Sequence, residues 1–267
     1  MGIKFFKKNI YDLSNTIPVT TVTDAIATST GEEYTILMRN RDNRSGWATT
    51  DSTDAANTTI EIDFVDIREF DSILLLGHNL KAYTLQYWTG SIWADFSTPI
   101  NETTNTDSSN YYSFTKVFSS KLKLIITGTQ VANDDKLIRQ FIVTEFIGEF
   151  VNEPRVRPVV DRDRSSTKYL SGKTNVSKSI GGFSCDIRLD SVSVENDLAL
   201  VELIFDSYEG VLTWLCGGDD TQFETQRIGW RLEDIYLMQP TNEYQPEWQD
   251  GFYKNGMPIN LKMVEVN

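Results

Sequence analysis

Histidine is almost absent from this sequence: 267 residues contain one, His78, beside two cysteines and seven prolines. A single imidazole removes most routes to a Ser-His-Asp or Cys-His site, and no Gly-x-Ser-x-Gly turn accompanies it. At the end of the apolar run Leu74-Leu-Leu-Gly-His-Asn-Leu80, His78 reads as a strand-end residue with a local hydrogen bond. Cys185, Cys216 and His78 stand far apart, without Cys-x-x-Cys or His-Glu-x-x-His spacing, so no metal site is expected. The two thiols are expected to be buried and reduced.

Positive charge is also scarce, 25 Lys and Arg against 38 Asp and Glu, a formal charge of −13. Sequence-nonspecific binding to phosphate backbones or anionic lipid is therefore not expected, and no nucleic-acid partner is assigned. No apolar run approaches the roughly 18 residues of a spanning helix, so no membrane insertion is expected. The opening MGIKFFKKNIYDLSN has neither a signal core nor a cleavage site, which predicts no secretory export. Glycine-rich phosphate loops fail too: Gly217-Gly218-Asp219-Asp220 is acidic where a phosphate needs donors, and reads as a turn after Leu215. Asp219 and Asp220 lack the spaced carboxylates of an EF-hand. Nothing singles out a carboxylate pair for glycoside hydrolysis, so no catalytic residue and no cofactor are assigned.

What the chain has in quantity is aromatic and β-branched text. Ile60-Glu-Ile-Asp-Phe64 alternates, Ile73-Leu-Leu-Leu76 is a continuous buried run, and Tyr83, Leu85 and Tyr87 alternate again. Thr89-Gly90 predicts a turn, 97–109 a polar loop, and 111–118, 122–126 and 141–146 further strands. This spacing predicts an antiparallel β-sandwich. Trp47, Trp88, Trp93, Tyr111 and Tyr112 lie in or beside its loops; Trp47 and Tyr112 are the candidate glycan contacts, and Trp93 is expected in the core.

The prolines of Asn152-Glu-Pro-Arg-Val-Arg-Pro158 penalise strand and helix alike and predict a domain boundary. Beyond it one amphipathic helix is expected over 194–208, capped by Ser193, stopped by Gly210, and burying Leu198, Val201, Phe205 and Tyr208. Strand text at 183–189, 211–215, 230–238 and 259–266 makes this half α+β. Residues 153–178 carry seven basic and three acidic side chains, whereas 179–267 carry five basic and sixteen acidic. One reading is a solvated connector. The other is a basic arm, Arg155, Arg157, Arg162 and Arg164, that grips a neighbouring copy.

Ser45-Gly46-Trp47, Ile60–Phe64, Ile73–Gly77, the strand, turn and tryptophan of Tyr83–Trp93, and Phe114–Ile126 together resemble the discoidin or coagulation-factor C-type module, a galactose-binding-like jelly roll. Ser179–Phe183, Glu202–Phe205, Glu209–Gly218 and Glu233–Met238 resemble phage tail-tip, distal-tail-like proteins. The two resemblances imply a mainly β chain: an N-terminal segment 1–25, a jelly-roll β-sandwich 26–150, and a smaller α+β tail-ring-like domain 151–267. They imply a non-enzymatic structural component of a bacteriophage tail tip or baseplate, made in the host cytoplasm and located in the virion tail. Its partners would be itself, as a ring homo-oligomer, other tail proteins and a host-surface glycan. The alternative is a carbohydrate-binding adhesin or receptor-binding module.

Overall fold

The computed structural model of the chain describes residues 3–15, 18–24, 32–39, 45–50, 53–151, 154–168, 174–189, 197–215, 235–242 and 259–266. The fold is mainly β, built from antiparallel sheets. In chain order the strands are β1 (Lys4–Phe6), β2 (Val19–Asp24), β3 (Trp47–Ala48), β4 (Thr58–Leu76), β5 (Leu80–Trp88), β6 (Trp93–Glu102), β7 (Asn110–Thr129), β8 (Leu137–Ile138), β9 (Gln140–Thr144) and β10 (Phe146–Glu149). There follow β11 (Arg155–Lys168), β12 (Thr174–Leu189), helix α1 (Asp197–Asp206), β13 (Val211–Trp214), β14 (Ile235–Pro240) and β15 (Ile259–Glu265).

The chain divides into two units, 7–146 and 1–6 with 147–267. The sequence placed a separate segment at 1–25 and a boundary at 150. In the structure β1 instead belongs to the second unit, and residues 7–24 belong to the first. Three residues are too short for alternation to reveal a strand, yet Phe5 and Phe6 are wholly buried there.

In the unit 7–146 the main sheet runs β2-β4-β7-β5-β6, with β9 also on β4 and a small β3–β8 pair beside it. Strands β4 and β7 are long enough to serve two layers. Their first pairing, Thr58–Asp63 against Lys121–Ile126, breaks at a bulge and resumes as Arg68–Leu75 against Asn110–Ser119. Val65 in this bulge has φ 67°. Phe96 of β6 meets Phe70 and Phe114 from the resumed segment, with centroids 6.4 and 4.1 Å away, so the two halves close on each other around an aromatic core. Ile73–Leu76 is buried throughout because β7 and β9 flank it on both sides.

Two sequence expectations change here. Residues 97–102, expected as loop, lie in β6, where Pro99 is tolerated because β6 is an edge strand and its 96–99 stretch is unpaired between Asp95 and Ile100. Glu32–Arg39, given no element from sequence, forms a 3-10 helix whose Met38 enters the core.

The other unit is a sheet ordered β10-β1-β13-β14-β15-β12-β11 with α1 packed on it. Its core gathers Phe5, Phe150, Ile187, Leu200, Val201, Ile204 and Leu261. The helix ends at Asp206, before the expected 208, and its buried face is Asp197, Leu200, Val201 and Ile204, with Tyr208 95% exposed beyond its end. Gly210 follows at φ 82°, where an added Cβ would lie 2.9 Å from the Met238 carbonyl. The proline-bracketed stretch 154–158 is not a break: β11 runs through Pro158, which sits opposite Cys185 on the edge strand of the sheet, the position where a strand tolerates proline. Ser193, Cys216, 217–220 and 230–234 lie outside the described residues.

Candidate functional site

Gly77, at φ 61°, turns the chain out of β4 and sets His78 at the head of β5. His78 is buried, and its Nδ1 accepts the Leu80 N–H at 3.2 Å. The ring proton therefore sits on Nε2, which donates to Asn110 Oδ1 at 2.7 Å. Asn110 Nδ2 donates to Asn105 Oδ1 at 3.2 Å, and Asn105 Nδ2 donates to the carbonyls of Leu80 and Asp107 at 2.8 and 2.9 Å. The backbone closes the same turn through His78 N–H to the Ser108 carbonyl, 2.7 Å, and Gly77 N–H to Ser109 Oγ, 3.1 Å.

Above this base stand two phenols. Buried Tyr83 hydrogen-bonds Asn110 Oδ1 at 3.0 Å and lies 2.5 Å from the hydroxyl of Tyr112. Tyr112 is half-buried; with the Tyr83 proton on Asn110, its single hydroxyl proton serves either Tyr83 or Glu102 Oε1, 3.2 Å away. Burial, then the shared hydrogen bond, then the Glu102 charge push the Tyr112 hydroxyl above its ordinary value, and burial does the same at Tyr83. Both phenols are thus neutral at physiological pH. Glu102 brings an acceptor, Tyr112 a ring edge and a hydroxyl, and the amides below fix their positions. The set can hold hydroxyl groups in fixed geometry beside an aromatic surface.

Of the candidates read from sequence, Tyr112 falls in this cluster and Trp47 does not. Trp47 is wholly buried in β3 opposite Ile138, so it supports the core and is not a surface contact. Contrary to the core expectation, Trp93 is half-buried: Trp88 lies edge-on at 5.3 Å and Lys123 Nζ sits 4.0 Å over its ring. Tyr83, Glu102, Asn105 and Asn110 were missed, because their meeting depends on β5, β6 and β7 converging across a loop of unreadable register. His78 lies where its context predicts, with a bond to Asn110 that spacing does not reveal. Arg155 is exposed on β11; the side chains of Arg157, Arg162 and Arg164 lie outside the described residues. Cys185 is a free, buried thiol, pushed up to about 12 by burial and the nearby Asp186 charge. Among the described residues no cluster of three or more His, Cys, Asp or Glu is placed to hold a metal, and no helix is long and apolar enough to cross a membrane.

No family model matches the sequence, and no curated protein matches it. Among solved structures the chain is similar to chitosan-binding module 1 of a chitosanase/glucanase from Paenibacillus sp. IK-5, at 14% identity and TM-score 0.41, covering 52% of this chain and 98% of that one. A module from Clostridium perfringens, solved in complex with GalNAc-β-1,3-galactose, matches at 12% identity and TM-score 0.38, covering 50% and 97%. A fucosidase from Ruminococcus gnavus, in complex with fucose, matches at 16% identity and TM-score 0.39; the aligned part is 52% of this chain and 27% of that one.

Proposed function

We propose that residues 7–146 are a non-catalytic carbohydrate-binding module carried on a second β unit. The observation that supports this is Tyr112, a half-buried phenol held between Tyr83 and the Glu102 carboxylate on a base of interlocked amides. Polyhydroxylated ligands are recognised by a few fixed donors and acceptors beside an apolar ring, and this cluster is ordered before any ligand arrives. A broad glycan array probed with the intact chain, followed by calorimetric titration of the best oligosaccharide, tests the proposal. Tyr112→Ala should weaken binding at least about 10-fold, or about 1.4 kcal/mol, and Glu102→Gln should weaken it too. No binding across the array, or full affinity in both variants, overturns it.

A second reading is favoured by β11. Among the described residues this fourteen-residue strand pairs with β12 alone, so one row of its backbone groups faces outward. Such an edge suits a structural role in a phage tail tip or baseplate. There the chain would form a ring homo-oligomer and contact other tail proteins, with the Arg155–Arg164 stretch meeting the acidic part of the next copy. Reversing Arg155, Arg157, Arg162 and Arg164 to Glu should lower the oligomer mass measured by light scattering while the circular dichroism spectrum stays unchanged. An unchanged mass removes this reading.

A further inference from the structure

Lys136 is wholly buried in the 7–146 unit. An ammonium out of water must find oriented oxygen atoms or cost several kcal/mol. Backbone ones are among those it finds: Nζ donates to the carbonyls of Thr53 and Ala56, each at 3.2 Å. These two carbonyls belong to one turn, closed by the Ala56 N–H on the Thr53 carbonyl at 3.4 Å. The hydroxyl of Thr53 is buried without a hydrogen-bond partner, so a further oxygen of that turn has unused lone pairs. The turn is held from outside. Asp54 Oδ1 accepts both the Thr129 N–H and its hydroxyl at 3.0 Å, and Oδ2 accepts the Asn133 N–H at 3.0 Å. The lysine backbone is pinned as well, its N–H on Thr49 Oγ1 at 2.8 Å and its carbonyl accepting the Thr49 N–H at 3.0 Å. Carbonyl and hydroxyl oxygens gathered on one braced turn are the kind of ligand a hard cation takes.

We propose that the Thr53–Ala56 turn is a cation site whose resident is the chain's own Lys136 ammonium, and that shortening this side chain turns the cage into a binding site for a small free cation. The inference stands apart from the glycan reading, since it uses none of the residues at Tyr112.

Thermal unfolding of the intact chain tests it. The wild-type midpoint is expected to be the same in EDTA and in millimolar calcium chloride. Lys136→Met keeps the bulk but strands the carbonyls, and should lower the first affected transition by at least about 5 °C in every salt. Lys136→Ala should fall similarly in tetramethylammonium chloride, whose cation is too large to enter. It should regain part of the loss in ammonium, potassium or calcium chloride at equal ionic strength. A wild-type midpoint in Lys136→Met, a Lys136→Ala midpoint indifferent to all three cations, or a wild type lowered by EDTA overturns the proposal. If Lys136→Ala does not fold alone, refolding yield is scored in the same salts. Recovery with the small cations alone supports the cage, and equal failure in all overturns it.

Discussion

Val65 is a β-branched residue in the left-handed region, φ 67°, a conformation in which its Cβ crowds the following carbonyl. Its N–H is fixed on Asp63 Oδ1 at 2.8 Å, and its side chain is 61% exposed, so little burial offsets the strain. Val65→Gly should therefore stabilise the chain by up to about 1 kcal/mol in urea titration, against the usual sign for a glycine in a strand. Glu145 offers a pH test. Burial alone would raise its carboxyl, but the hydrogen bond from Lys116 and the ion pair with Lys7, both 2.5 Å, outweigh burial and hold it below its ordinary value. A depressed carboxyl contributes stability above its unfolded pKa and loses that contribution as pH falls through the folded one. Glu145→Gln should thus be less stable than wild type at neutral pH, and the gap should close in acid. A gap that persists at low pH would mean that the contribution is not ionic.

Between β13 and α1 the decisive element is a single turn. Gly210→Ala would force a Cβ into the Met238 carbonyl at a positive φ, and should lower stability by at least about 1–2 kcal/mol in denaturant titration. That glycine was legible, because a helix stop leaves a mark in one residue. The helix face was not: Leu198 and Phe205 are only partly buried while Leu200 and Ile204 are buried, since the sheet beneath selects among an apolar set that nearly encircles the helix. The central strands were legible because alternation at Ile60–Phe64 and the unbroken run at Ile73–Leu76 state which sides are covered. The edges were not. Pro99 and Pro158 argue against a strand only when both sides of it are paired, and pairing is a property of the partner strand. The same limit hid the Tyr83, Glu102 and Asn110 cluster, whose members come from three strands.

At the scale of the whole chain, the 7–146 unit is an insertion between two strands, β1 and β10, that are neighbours in the sheet of the other unit. Lys7 N–H donates to the Glu145 carbonyl at 2.9 Å, and Thr144 Oγ1 to the Lys7 carbonyl at 2.5 Å, so the ends of the insertion are tied together. Replacing 7–146 by a short Gly-Ser linker should leave the remaining unit able to fold, with its own calorimetric transition. Loss of strand signal in circular dichroism would refute that independence. The insertion also sets an order of events on the ribosome. β1 leaves the exit tunnel well before its partners β10 and β13, which begin at residues 146 and 211. At about 5–20 residues per second, Phe5 and Phe6 wait roughly ten seconds or longer before their slot exists. Throughout that wait the nascent chain carries an unpaired aromatic hook, a natural handle for a chaperone and a point at which crowded polysomes could cross-pair.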